Sequence, residues 1–216
     1  MPSQAYNIKT ISIVGLGTLG SEIAKQLARC NYNLKLIDFD EVESRNIKIQ
    51  ALYNKADIGK QKAEIAEKRL KKINKNISIK SFPEKLTSKN LAIISSDLVI
   101  DCTDNLTARF LMSDFCYNRI PLLHTAAFKD LATFYLMLPN NPCLNCIYAS
   151  NIDINGCRQS NINPLTAARM ADLAIKQIKN LPHNQQEEKL LRLNIKNNTI
   201  EKIKISRSCK RCLKSL

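Results

Sequence analysis

The chain has 216 residues, 44% of them apolar and 24% charged, a balance that excludes a disordered or fibrous polypeptide and allows one sizeable core. No window approaches the roughly 18 uninterrupted apolar residues of a membrane helix, and the start MPSQAYNIKT lacks the pattern of a signal peptide, so a cytoplasmic protein without membrane partners is expected. Lys and Arg exceed Asp and Glu by 33 to 19, giving +14, yet no aromatic-interleaved basic motif of the RNA-binding kind occurs; the charge fits an acidic protein partner, not nucleic acid.

In chain order, the β-rich run Lys9–Val14 leads straight into GLGTLG, and SEIAKQLARC follows with helical spacing through Ile23, Leu27 and Cys30. A short strand at Leu34–Ile37 completes a parallel βαβ unit. A polar connection, a helix from about Lys60 to Ile73, a strand near Ile77–Ile79 and a buried-type strand at Leu98–Cys102 come next. The helix after TDN runs through Arg109, Leu111 and Phe115, and Pro121–His124 returns to the sheet. Ala132–Leu138 reads as an edge strand leading into the turn-rich PNNPCLNC, and residues 147–162 read as a mobile loop. Pro164 opens the next helix, which reaches about Ile178, and LLRLNIKNNTIEKIKI reads as a hairpin that delivers the chain to SCKRC.

Gly15, Gly17 and Gly20 form G-x-G-x-x-G between strand and helix, and they are three of only five glycines in the chain, so chance is a weak explanation. The first permits the tight turn, the second lets phosphate approach the backbone, and the third packs helix on strand. Asp38, ending the second strand, is placed to accept hydrogen bonds from ribose hydroxyls. An NAD-dependent dehydrogenase would fit these features equally well. The cysteines point elsewhere: Cys143/Cys146 and Cys209/Cys212 are two C-x-x-C pairs in turn-like settings, a donor set for a closed structural zinc site. Such a site would pin the C-terminal hairpin to the loop after the last sheet strand. Cys30, Cys102 and Cys116 read as core, and His124 and His183, isolated in sequence, suggest no role.

The glycine turn, IDFDEVESRNIKIQ, DIGKQKA, DCTDN, PCLNC and CKRC occur in the order seen in the ThiF/MoeB/HesA family, the bacterial relatives of ubiquitin-activating enzymes, and the chain resembles that family from about residue 9 to residue 212. The resemblance implies a doubly wound, mostly parallel α/β sheet of Rossmann type with a zinc-bound C-terminal β-hairpin. It implies a single domain over 1–216, with a nucleotide-binding part at 9–125 and a carrier-binding and zinc part at 126–216. The implied reaction uses ATP and Mg²⁺ to adenylate the C-terminal glycine of a small ubiquitin-like sulfur carrier of ThiS or MoaD type, releasing pyrophosphate. The family's ribose-binding acid falls on Asp38, its loop Asn and Gln on Asn46 and Gln50, its phosphate-binding lysine on Lys62, and its metal-associated acid on Asp104. Attack at the α-phosphorus pushes charge onto pyrophosphate, which calls for donors, a cation and Mg²⁺ around the triphosphate; hydride transfer does not. Asp101 reads as support for the same loop, and Asp104 has a plainer reading as a helix N-cap.

Cys157, followed by Arg158, matches the loop cysteine of the ThiF branch, which takes part in sulfur transfer, and a neighbouring arginine favours its thiolate. A homodimer and a sulfurtransferase donor are implied by the same resemblance. Two departures stand out. Ile49 occupies the place of the family's arginine, with Arg45-Asn46 in place of Ser-Asn, and only 14 residues precede Gly15, where relatives carry an N-terminal helix with a phosphate-reaching arginine. Lys48 or Arg45 would have to supply the charge, and Lys48 is the expected substitute. These departures define the alternatives: a catalytically degenerate scaffold that binds a ubiquitin-like partner, or adenylation of a non-carrier peptide C-terminus.

Overall fold

The computed structural model describes residues 6–128, 130–149, 162–181, 188–194 and 196–214. Eight strands form one sheet: β1 (Thr10–Val14), β2 (Asn33–Ile37), β3 (Ile79–Phe82), β4 (Leu98–Asp101), β5 (Leu122–Phe128), β6 (Leu131–Met137), β7 (Lys189–Asn194) and β8 (Thr199–Lys204), in the spatial order 3-2-1-4-5-6-7-8. The first five run parallel, and β5 to β8 pair antiparallel. Parallel strands must be covered on both faces. Here Ile11 and Ile13 of β1 face a core filled by α1 (Thr18–Arg29), α2 (Lys62–Ile73) and α5 (Pro164–Asn180), while Val14 faces a second core with α3 (Leu106–Cys116) and α4 (Leu144–Ala149). The last described element is α6 (Lys210–Lys214). Among the described residues no helix is long and apolar enough to cross a membrane.

The sheet class and the helices follow the expected order, with three corrections. The stretch expected as an edge strand is β6, an interior strand between β5 and β7; the edge is β8, whose Glu201, Lys202 and Lys204 discourage pairing with another chain. The third strand lies at Ile79–Phe82, later than 77–79. The turn expected around Cys146 becomes helical at Leu144, and Ile147 to Ala149, expected in a loop, belong to α4. The hairpin turns at Asn198, whose φ of 55° is left-handed, a conformation asparagine tolerates better than most side chains.

Candidate active site

The strand order reverses direction between β1 and β4, and a cavity of about 910 Å³ opens there, outside the carboxyl ends of β1, β2, β4 and β5. Its floor is the glycine turn. Gly15 has φ +89°, and a Cβ on it would lie 2.8 Å from the Cys102 carbonyl oxygen. A Cβ on Gly20 would lie 1.9 Å from the Gly15 carbonyl oxygen, so α1 rests directly on the turn that precedes it. Gly17 differs: it lines the cavity and a Cβ there would meet nothing within 4 Å. It is also the N-cap of α1 without any side-chain cap, so the first N–H groups of that helix are left for an anion.

Asp38 is buried and receives Leu16 N–H at 2.6 Å and Asp40 N–H at 2.8 Å, and Tyr53 Oη donates to the Leu16 carbonyl. The carboxylate therefore fixes the glycine turn while still facing the cavity. Burial raises its pKa above the ordinary value, against the opposing pull of Lys62 and the two backbone donors. Asn46 ends the 3-10 turn Ser44–Asn46 and spends its Oδ1 on Glu43 N–H at 2.8 Å, which leaves its Nδ2 for a ligand. Gln50 Oε1 is buried at the cavity wall with no hydrogen-bond partner among the described residues. Lys62 opens α2 and is only 5% exposed, with Nζ 3.1 Å from Asp40 Oδ2. A buried acceptor without a donor, and a buried cation offset by one half-exposed carboxylate, both fit a ligand that supplies hydroxyls and negative charge.

On the opposite wall, Asn105 and not Asp104 caps α3, accepting Ala108 N–H at 3.1 Å. Asp104 is exposed into the cavity, and no ion pair or hydrogen bond engages its carboxylate among the described residues. One uncommitted carboxylate beside space for a polyphosphate fits Mg²⁺, which is held by few protein oxygens together with substrate phosphates. Behind it lies a buried network of which sequence reading singled out only Asp101: Asp101 accepts from Thr103, lies 2.6 Å from His124 Nδ1 and pairs with Arg109, and Arg109 in turn reaches Tyr148. Cys102 lines the cavity from the same loop, and burial, followed by the Asp101 charge, pushes its thiol far up.

The four cysteines converge in a separate cluster. Cys143, Cys146, Cys209 and Cys212 place their sulfurs within 4.8 Å of one another, with Cys143 Sγ and Cys209 Sγ 3.5 Å apart. A zinc ion with bonds of about 2.3 Å holds its sulfurs about 3.8 Å apart, so the set fits a tetrahedral ion with all four positions filled. Burial raises the Cys146 thiol, but Ser208 N–H and Cys209 N–H, which point at its Sγ from 3.4 and 3.5 Å, together with the Cys209 and Cys212 side chains bring it below its ordinary value. Burial and the neighbouring sulfurs push Cys143 up.

The ThiF family model matches residues 4–214 of the chain. The chain belongs to the ThiF family. Among curated ThiF-family relatives, the molybdopterin-synthase adenylyltransferase of Escherichia coli K12 is 35% identical over 150 residues, 67% of this chain and 60% of that protein. The adenylyltransferase and sulfurtransferase MOCS3 of Drosophila virilis is 39% identical over 145 residues, covering 64% of this chain and 32% of its own length. The SAMP-activating enzyme E1 of Haloferax volcanii is 30% identical over 142 residues, covering 64% and 53%. The chain thus spans between a third and three fifths of these relatives. In fold it superposes on the crystal structure of E. coli MccB with ATP at a TM-score of 0.80, with 22% identity over 97% of this chain and 66% of that one.

Within this ThiF-type cavity the structure brings together Gly15, Gly17, Asp38, Asn46, Gln50, Lys62 and Asp104. Gly20 packs beneath the floor. Lys48 is exposed and is not among the lining residues, whereas Arg45 and Ile49 are, so the cation on that wall is Arg45, which pairs with Glu43. Cys157 and His183 lie outside the described residues. Thr103, Arg109, Phe39 and Lys85 line the cavity without having been singled out; Lys85 sits 5.6 Å over the Phe39 ring.

Proposed function

We propose that the cavity binds ATP and that the chain is an adenylyltransferase acting on the C-terminal glycine of a small ubiquitin-like sulfur carrier protein. The observation that carries this reading is one wall-to-wall arrangement: an open backbone at Gly17, a ribose-type acceptor at Asp38, an unmet acceptor at Gln50, a buried cation at Lys62 and an unengaged carboxylate at Asp104. The names of the curated relatives support the same substrate class.

The α1 N-terminus and Gly17 receive phosphate through backbone N–H groups. Asp38 accepts from the ribose hydroxyls, and Gln50 Oε1 takes a donor from the nucleotide. Mg²⁺, when bound through Asp104, neutralises phosphate charge and polarises the α-phosphate. A carrier carboxylate oxygen attacks the α-phosphorus; the bond from that phosphorus to the oxygen bridging to the β-phosphate breaks, and its electrons leave with pyrophosphate. Lys62 meets the charge that develops on the leaving group, where low exposure makes its ammonium more effective than in water. Arg45 adds a second cation at the place left apolar by Ile49. The four cysteines hold zinc as a structural ion. Cys157 serves the later transfer of sulfur from a sulfurtransferase donor, and a homodimer in the cytoplasm completes the reading, both supported by the resemblance.

ATP–pyrophosphate exchange with purified ThiS-type and MoaD-type carriers tests this and separates the two pathways; light scattering tests the dimer. One observation, Ile49 in the cavity wall, favours a second reading in which the chain binds nucleotide without turnover. Tight ATP binding with no exchange toward either carrier would establish that reading, whereas exchange with a free peptide alone would move the substrate to a non-carrier C-terminus.

A further inference from the structure

Asp101 ends β4 and is completely buried, yet every one of its oxygens is engaged. Oδ1 accepts Thr103 N–H at 2.9 Å and Thr103 Oγ1 at 2.7 Å, and the main-chain oxygen accepts Thr125 Oγ1 at 2.6 Å. Oδ2 lies 2.6 Å from His124 Nδ1 and 3.4 Å from Arg109 Nε. Arg109 also donates to the Thr103 carbonyl and, from Nη1 at 3.2 Å, to Tyr148 Oη. Thr103 is therefore gripped on both its amide and carbonyl sides, and the next residue is Asp104.

His124 is the unexpected member. It stands opposite Asp101 in the β4–β5 register and is 0% exposed, with Nε2 buried and without a hydrogen-bond partner among the described residues. An imidazole in such a place costs desolvation that an apolar side chain of similar size avoids. What it contributes in return is one short bond to Asp101. Burial lowers the proton affinity of the ring, which keeps it neutral, and the carboxylate facing Nδ1 fixes its single proton there. Burial alone would raise the Asp101 carboxyl, but Arg109 and His124 outweigh it and hold it below the usual carboxylate range.

We propose that His124 is a positioning residue for the adenylation site: by donating from Nδ1 to Asp101 Oδ2 it fixes the carboxylate that holds the Thr103 turn and Arg109, and so sets where Asp104 stands in the cavity. The role rests on the adenylation reading. It touches no substrate and acts through Asp101.

The chain has only two histidines, so ¹⁵N-histidine NMR with a His183→Gln control isolates His124. The groups that face it are Asp101 and Arg109, Tyr148 from α4, whose ring centroid is 6.1 Å away, and its β6 register partner Tyr135. The expected signature is an Nδ1–H tautomer with a slowly exchanging proton and no titration near the ordinary histidine value. A ring protonated on Nε2, or one titrating as in a free peptide, overturns the proposal without reference to activity or to any variant's folding. In kinetics, His124→Leu should lower kcat of exchange about tenfold or more, the scale at which outer-shell partners act, with KM for ATP little changed. His124→Gln, which can still donate, should recover most of it. Unchanged kcat in His124→Leu, or equal loss in both variants, overturns the role. A wild type that binds Mg-ATP without exchange sinks the adenylation reading instead. His124 is then judged by calorimetry: weaker Mg-ATP binding in His124→Leu with recovery in His124→Gln sustains it, and equal affinity in all three overturns it.

Discussion

The two ends of the sheet are completed by different means. At the parallel end, helices cover both faces and the strands vanish into the core, but the loops at their carboxyl ends leave polar atoms unmet around a cavity. At the antiparallel end, β8 lies largely exposed, and α4 and the segment leading into α6 are gathered by four sulfurs. The first region is stable in packing and unfinished in chemistry; the second is finished in chemistry and thin in packing. A bound nucleotide should therefore change the activity and local order of the first, and a bound ion should decide whether the second folds.

The largest effect is expected at the cysteines, because structural zinc couples about 10–16 kcal/mol of apparent binding energy to folding in small domains. Cys212→Ser, or strong chelation, should release the metal and open β7, β8 and α6 to hydrogen exchange while β1, β2 and β4 stay protected; uniform protection after metal loss would erase the contrast. Next, Asp104→Ala should reduce exchange by about a hundredfold or more with an unchanged melting temperature, since it removes charge positioning and no packing. The glycines sharpen the comparison within one turn. Gly20→Ala forces a Cβ onto a backbone carbonyl and should destabilise at or above the about 1–3 kcal/mol typical of overpacking, whereas Gly17→Ala should melt like wild type and bind ATP more weakly. The smallest effect separates two neighbouring cations: Arg45→Ala should raise KM for ATP several-fold and Lys48→Ala should leave it unchanged, and equal behaviour would return Lys48 to consideration.

Much of this is legible in the sequence, where the signal is local. A strand followed by G-x-G-x-x-G and a helix encodes its own geometry, and two C-x-x-C pairs announce their chemistry wherever the fold carries them. The misreadings share a cause in contacts that span long stretches of chain. Ala132–Leu138 looked like an edge because the hairpin that covers it lies more than fifty residues onward. His124 looked isolated because its partner sits on a parallel strand, in a register that sets Val99 opposite Leu122 and so Asp101 opposite His124. Lys48 and Arg45 are three residues apart on one turn, and only its three-dimensional course shows which borders the cavity. Asp104 had a plainer reading as a helix cap, and the backbone assigns that task to its neighbour Asn105.

Cys102 borders the cavity in which, on this reading, a reactive mixed anhydride would be made. Thiols attack such anhydrides readily, but only as thiolates. Burial and the adjacent Asp101 charge keep this sulfur protonated, and Thr125 Oγ1 lies 3.9 Å from it. On that reading the cavity would be chemoselective: a potential thioester former would stand in its wall in the unreactive thiol form, so the activated acyl group would survive to leave with its intended acceptor.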